Sequence, residues 1–261
     1  LATMPQQTML FLDPARRDEH GAKTVLIADC TPDVCRLLPQ LMSKARFVML
    51  KLSPMLDWHK AIADLKGTVD EVHIVSVGGE CKELLLVLAG KVSVSSVDSG
   101  NLENGVRVYC VDIMPKAEAD GEYKRSEFCY TIGGAADNPP TLNSQFLFEP
   151  NASIMKAGCF AELSQAYGVE AIGPNSHLFV SSGRVELFPG RKFAIEAVCT
   201  LNKRQLKQTL GTLKQANIAV RNFPMSVAEL RKRLKLRDGG DTYIFATTTR
   251  EGEHVLIICR K

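Results

Sequence analysis

Between residues 8 and 113 the sequence alternates short apolar runs with amphipathic segments, and this alternation leaves few architectures open. "TMLFLD" (8–13), "RFVMLKLS" (46–53), "EVHIVSV" (71–77) and "VRVYCVDI" (106–113) read as strands, and "KTVLIAD" (23–29) as a further extended stretch. "TPDVCRLLPQLMSKA" (31–45) reads as a helix capped by Thr31, with Pro32 and Asp33 in its first turn and an interruption expected at Pro39. "MLDWHKAIADLKG" (55–67) reads as a second helix, ended by Gly67. Repeated strand–helix–strand units build a mostly parallel sheet with helices on its faces, which places the chain in the α/β class. The pair Gly78–Gly79 marks a turn, and the run 80–90 that follows is compatible with a strand or a helix.

Past residue 114 the pattern changes. Residues 115–145 are polar and contain "GGAADNPPTLN", the composition of a linker or long loop. "QFLFEP" (145–150), "NASIMKAGCFAELSQAYG" (151–168) and "HLFVSS" (177–182) then read as strand, helix and strand. The last segment alternates again: strand 192–199, helix 202–216, strand 218–223, helix 226–236 and the strand pair 242–249 and 254–261. Ser226 and Glu229 have capping-box spacing, and Gly239 and Gly240 are expected to end that helix. The expected organisation is a first domain over 1–114, a linker and small α+β unit over 115–190, and a basic α/β module over 191–261.

Charge separates these parts. Residues 191–261 hold 15 Lys/Arg against 6 Asp/Glu, a local charge of +9, whereas the whole chain carries +3. A basic module on an acidic body suits a polyanionic partner. Its cations cluster on the two helices: Lys203, Arg204 and Lys207 on the first, and Arg231, Lys232, Arg233, Lys235 and Arg237 in and just after the second. Two basic helices on one small unit can bracket a phosphate backbone, although such runs also occur as solvated faces. No apolar run reaches the roughly 18 residues of a membrane span. The eight cysteines show no C-x-x-C spacing and several lie in apolar runs, which reads as buried free thiols in a reducing cytoplasm. The five histidines share no ligand spacing, so no metal site is assigned.

In parallel sheets the chemistry sits beyond the carboxyl ends of the strands. Three loops fall there: "DPARRD" (13–18), "SPMLD" (53–57) and "GGECKE" (78–83). A carboxylate followed by proline can hold the edge of a flipped base, because proline fixes the backbone carbonyls beside the acid. The same dipeptide is also a common turn.

In this order, "FLDPARRD", "DCTPDV", "KLSPMLD" and "HIVSVGGECKELLL" resemble a bacterial family of S-adenosylmethionine-dependent methyltransferases. "FLFEPNASIMKAG" is similar to that family's ferredoxin-like middle domain, and "RNFPMSVAELRKRLKLRDGGDTYIFAT" to its THUMP-like end. The resemblance implies the C-terminal half of a doubly wound Rossmann-like sheet, followed by ferredoxin-like and THUMP-like units. It places Asp13, Pro14, Ala15, Arg16 and Arg17 at the catalytic motif. Ala15 and Arg16 stand where amino-methylating relatives carry proline and an aromatic, and arginine can instead lie on a base or grip phosphate. It places Lys51, Ser53, Pro54, Asp57, Gly78, Gly79, Glu80 and Lys82 around the substrate. The cofactor, S-adenosylmethionine, is expected to bind through loops lying outside this chain, which then reads as a fragment, inactive alone and prone to associate with its N-terminal part or with itself through an open sheet edge. THUMP domains imply an RNA partner, transfer or ribosomal. The rival expectation is a non-catalytic RNA-binding adaptor.

Overall fold

The structure is a computed structural model that describes residues 1, 3–15, 26–89, 105–115, 123–133 and 144–261. The chain divides into two compact units, the first comprising residues 1–134 and 152–158 and the second residues 135–151 and 159–261.

The first unit contains β1 (Gln7–Leu12), α1 (Val34–Lys44), β2 (Ala45–Leu52), α2 (Trp58–Asp64), β3 (Val69–Val77), β4 (Glu80–Ala89), β5 (Arg107–Pro115), β6 (Tyr123–Thr131) and α3 (Ala152–Ala157). Its sheet runs β1-β2-β4-β3-β5-β6. β1 pairs parallel with β2 and β3 with β5, while β4 is antiparallel to both its neighbours and β6 to β5. The sheet is therefore mixed, and the expectation of a mostly parallel one is corrected at β4 and β6. Gly78 and Gly79 have φ of +61° and +82°. Positive φ at both central residues makes a two-residue hairpin, so β3 folds straight back as β4. This settles residues 80–89 as a strand. One face of the sheet is closed: Val48, Leu50, Leu52, Val72, Ile74, Leu84, Leu86, Leu88, Val108 and Cys110 are all buried. α1 packs on β2, and α3 on β3, β4 and β5. Ser76 and Asp112 lie buried on adjacent strands, the serine hydroxyl donating to the carboxylate.

Several local expectations change here. The cap of α1 is Asp33, which accepts from the Arg36 amide at 3.0 Å, and not Thr31. Pro39 lies inside α1 without ending it. Of the stretch 23–29 only its last part is described, and Ile27–Asp29 form a single 3-10 turn, not a strand. Residues 115–145, read as linker, contain β6. The helix expected over 151–168 is two helices, α3 and one beginning at Phe160, separated at Gly158 with φ +71°.

The second unit contains β7 (Phe146–Pro150), α4 (Phe160–Tyr167), β8 (Glu170–Ala171), β9 (Phe179–Ser181), β10 (Gly190–Cys199), α5 (Lys203–Leu210), β11 (Asn217–Arg221), α6 (Val227–Leu234), β12 (Thr242–Thr248) and β13 (His254–Arg260). Its sheet runs β11-β12-β13-β10-β7-β9-β8, with β11 and β12 parallel and the remaining pairs antiparallel. Period-two alternation splits each central strand between two cores. Leu147, Val180, Phe193, Phe245 and Ile257 fill one, and Cys199, Leu210, Leu230, Ile244, Leu256 and Ile258 the other. α5 and α6 contribute Leu210 and Leu230 to the second core, so both helices lie on the same face. The capping box of Ser226 and Glu229 is formed, but α6 ends at Lys235 in a left-handed conformation, ahead of Gly239 and Gly240.

This sheet is strongly curved. β11 and β7 are four strand steps apart, roughly 19 Å in a flat sheet. Yet Arg221, the last residue of β11, donates to Glu149 of β7 at 2.8 Å. Asn222 likewise reaches the Pro174 carbonyl at 2.9 Å. All eight cysteines are free, and Cys30, Cys110, Cys159, Cys199 and Cys259 are buried. Burial, with the nearby Glu196 carboxylate, pushes the Cys259 thiol up to about 12.

Candidate functional site

The apolar run of β1 ends where the next polar residue must leave the sheet. The parallel register sets Leu12 beside Leu50, which brings Asp13, one residue on, alongside Lys51 of β2. Pro14 is buried, and Ala15 exchanges two backbone hydrogen bonds with Thr31, at 2.8 and 2.9 Å, so the strand end is held on both sides. The Lys51 ammonium donates to Asp13 Oδ2 at 2.8 Å and lies 3.6 Å from Glu83 of β4. The hydrogen bond to Asp13 holds the lysine above its ordinary pKa; Glu83 adds to this and burial opposes it.

These residues border a cleft of about 410 Å³ lined by Asp13, Pro14, Ala15, Lys51, Leu52, Ser53, Pro54, Lys82 and Glu83. An ammonium has three donors, so with one given to Asp13 and Glu83 held only as an ion pair at 3.6 Å, donors remain for a ligand. Asp13 keeps its second oxygen as an acceptor. The cleft can thus hold a group that donates, such as an amine or hydroxyl, while a fixed cation lies beside the acid. Among the described residues no cluster of His, Cys, Asp and Glu could hold a metal ion.

The cleft gathers only part of the expected substrate set. Lys51, Ser53, Pro54 and Lys82 line it. Asp57 instead caps α2, accepting from the amides of His59 and Lys60. Gly78 and Gly79 make the hairpin turn, and Glu80 pairs with Lys82 at the exposed tip. Arg16 and Arg17 lie outside the described residues. Leu52 was missed by sequence reasoning, and Glu83 fell within the candidate loop 78–83 without being singled out. Glu83 reaches the site only because β4 inserts beside β2, and the sequence leaves that run open between strand and helix.

A second candidate surface lies on α5 and α6. Leu206 and Leu210 of α5, and Leu230 and Leu234 of α6, turn inward at i, i+4 spacing. Lys203, Arg204, Lys207, Lys232, Arg233, Lys235 and Arg237 are exposed. Arg231 differs from them. It donates to the Ala216 carbonyl at 3.2 Å and to Asp238 at 2.6 Å, so it is a structural cation, not an open phosphate contact.

Residues 146–189 match the ferredoxin-like domain family and residues 190–261 the THUMP domain-like family. A crystal structure described as a "putative methyltransferase from Porphyromonas gingivalis W83" superposes with a TM-score of 0.81 at 31% sequence identity, over 97% of this chain and 59% of that one. The chain therefore spans about three-fifths of the length of that relative. No curated protein matches the sequence. No helix among the described residues is long and apolar enough to cross a membrane.

The fold is mixed α/β, built on two mixed sheets, and is similar to that of the structure so described. The chain joins a unit similar to part of that structure to regions that match the ferredoxin-like and THUMP domain-like families.

Proposed function

We propose that this chain is the acceptor-side and RNA-binding portion of an S-adenosylmethionine-dependent methyltransferase of class I acting on structured RNA, transfer or ribosomal. The observation that carries this reading is the outward row of cations on α5 and α6, on a module of the THUMP-like family. Asp13, steadied by Lys51, holds the acceptor, and Pro14 and Ala15 shape the cleft floor. Lys82, Ser53 and the Pro14 carbonyl offer further polar contacts. Arg16 and Arg17 follow directly in sequence and add two cations to the motif. S-adenosylmethionine supplies the methyl group when bound, with its principal contacts made by segments outside these residues. Eight free thiols fit a reducing, cytoplasmic setting.

The test is RNA binding across a salt series. Each neutralised phosphate contributes about 0.7–0.9 to the slope of log affinity against log salt, so five contacts give a slope near −4. Replacing Arg204, Lys207, Lys232 and Arg233 together with alanine is expected to flatten the slope by about three. Replacing Arg231 alone is expected to lower stability and leave the slope nearly unchanged. If the quadruple variant binds structured RNA as the wild type does at every salt concentration, α5 and α6 are solvated faces and the RNA reading falls.

A further inference from the structure

The second unit holds another cavity, of about 400 Å³, that the methyl-transfer reading does not use. Its volume lies within the range of small-molecule sites, about 300–1,000 Å³. One wall is aromatic. The Phe160 ring, at the start of α4, stacks on the His177 imidazole with centroids 4.5 Å apart and 21° between planes, and Phe179 of β9 adjoins at 6.1 Å. Phe160 and His177 are only half-buried, so this wall stands open to the cavity. The lining also includes Pro174, Asn175 and the exposed Arg250.

The loop that carries the wall is held rigidly. Asn175 and His177 both adopt left-handed backbone, with φ of 59° and 52°. Residues other than glycine keep this conformation where their surroundings over-determine it. Those surroundings are explicit. Ser176 is fully buried and its hydroxyl donates to the Gly173 carbonyl at 2.7 Å. The Arg250 amide donates to the Ile172 carbonyl at 3.0 Å, and Asn222 to the Pro174 carbonyl at 2.9 Å. Gly173 has no room for a side chain, since a Cβ there would stand 2.6 Å from the Thr248 carbonyl oxygen. Burial, with the Arg221 guanidinium, pushes the His177 imidazole below its usual pKa, so the wall is uncharged at neutral pH.

A neutral stacked aromatic pair, with a guanidinium in the same lining, selects a ligand that is planar at one end and anionic at the other. An aliphatic acid would not use the wall, and a bare phosphate would not need it. We propose that this cavity is a binding site for one unpaired nucleotide, its base against Phe160 and His177 and its phosphate toward Arg250. The assignment deepens the RNA-binding reading and rests on it for the identity of the natural ligand. It adds base stacking, which is insensitive to salt, to the charge contacts of α5 and α6.

Two measurements on the 261-residue chain test it. The first is independent of the basic helices: adenosine and uridine monophosphate are titrated while the His177 ring protons are followed by NMR. Both are expected to shift these protons upfield by ring current, whereas ribose 5-phosphate is not. No shift with either mononucleotide at about ten millimolar, or an equal shift with ribose 5-phosphate, overturns the assignment. The second compares RNA hairpins with and without an unpaired tail. Phe160→Leu keeps the apolar volume and removes the ring face. It is expected to weaken binding of the tailed RNA by about 5- to 150-fold, the range for one stacked base, with the salt slope unchanged. Arg250→Met is expected to flatten the slope by about one. Folded variants that bind tailed RNA as the wild type does overturn the pocket while leaving the basic helices in place. Mononucleotide shifts without RNA binding would instead uphold the pocket and sink the RNA reading.

Discussion

Gly190→Ala is expected to destabilise the second unit by about 3 kcal/mol or more, at the upper end of what overpacking costs. A Cβ at this position would lie 2.2 Å from the Glu149 carbonyl oxygen, 2.7 Å from the Phe188 ring and 2.9 Å from the Pro150 Cα. Two of these neighbours are backbone of β7, the strand to which β10 is paired, so relief requires the ladder to part. Gly183 provides the contrast, because nothing lies within 4 Å of its Cβ position. Gly183→Ala is expected to change stability by less than about 0.5 kcal/mol. Thermal melts of both variants decide the matter. For a unit of this size the Gly190 variant should melt about 10 °C lower. Equal melting temperatures would show that β7 and β10 do not approach this closely.

The second large effect concerns Glu149, the buried acid of β7 that pairs with arginines of β10 and β11. Its side chain is 6% exposed, while Arg191 and Arg221, which donate to its two oxygens, are 50% and 40% exposed. The asymmetry predicts an unequal outcome. Removing either arginine leaves the carboxylate with one partner and costs about 1–2 kcal/mol. Removing both, as Arg191→Met with Arg221→Met, strands a buried charge and costs about 3–5 kcal/mol. Glu149→Leu frees two side chains that can already reach water, and is expected to cost less than the double arginine variant. Urea melts in a double-mutant cycle measure this coupling. If the arginine losses simply add, or if Glu149→Leu is the most damaging change, the buried-acid account is wrong.

How far the sequence discloses this fold depends on where each signal resides. The ends of β1 and β2 were legible because an apolar run stopping at Asp13-Pro14, or at Ser53-Pro54, has few alternatives. The turn at Gly78–Gly79 was legible, but not that a strand follows it, since the run 80–90 suits a strand or a helix. β6 was not: "YKRSEFCYT" carries charges on both faces, as an edge strand with one buried residue can, and so resembles linker. Gly158 passed as a helical residue because only the fold reveals its positive φ. At the site, Asp13 and Lys51 were each singled out, but their contact is a property of register. Glu83 required knowing that β4 inserts between β2 and β3. The aromatic wall escaped altogether. Phe160, His177 and Phe179 come from three elements, and Arg250 is more than seventy residues further along than any of them. These aromatics form a series only in the folded unit.

The central claim is that the cleft at Asp13 receives an RNA acceptor for methyl transfer, and the most direct test is transfer itself. The natural full-length protein is incubated with structured RNA and methyl-labelled S-adenosylmethionine, and incorporation is compared between wild type and Asp13→Ala, with RNA affinity measured in parallel. Loss of a group that positions the reacting atom costs on the order of 100-fold in rate. Asp13 lies in a different unit from α5 and α6, so RNA affinity should change less than about twofold. The account predicts labelled RNA from the wild type, a roughly 100-fold slower reaction with Asp13→Ala, and equal binding by both. RNA binding without transfer by the wild type would mark a non-catalytic adaptor, and undiminished transfer by Asp13→Ala would place the acceptor elsewhere; either result contradicts the claim.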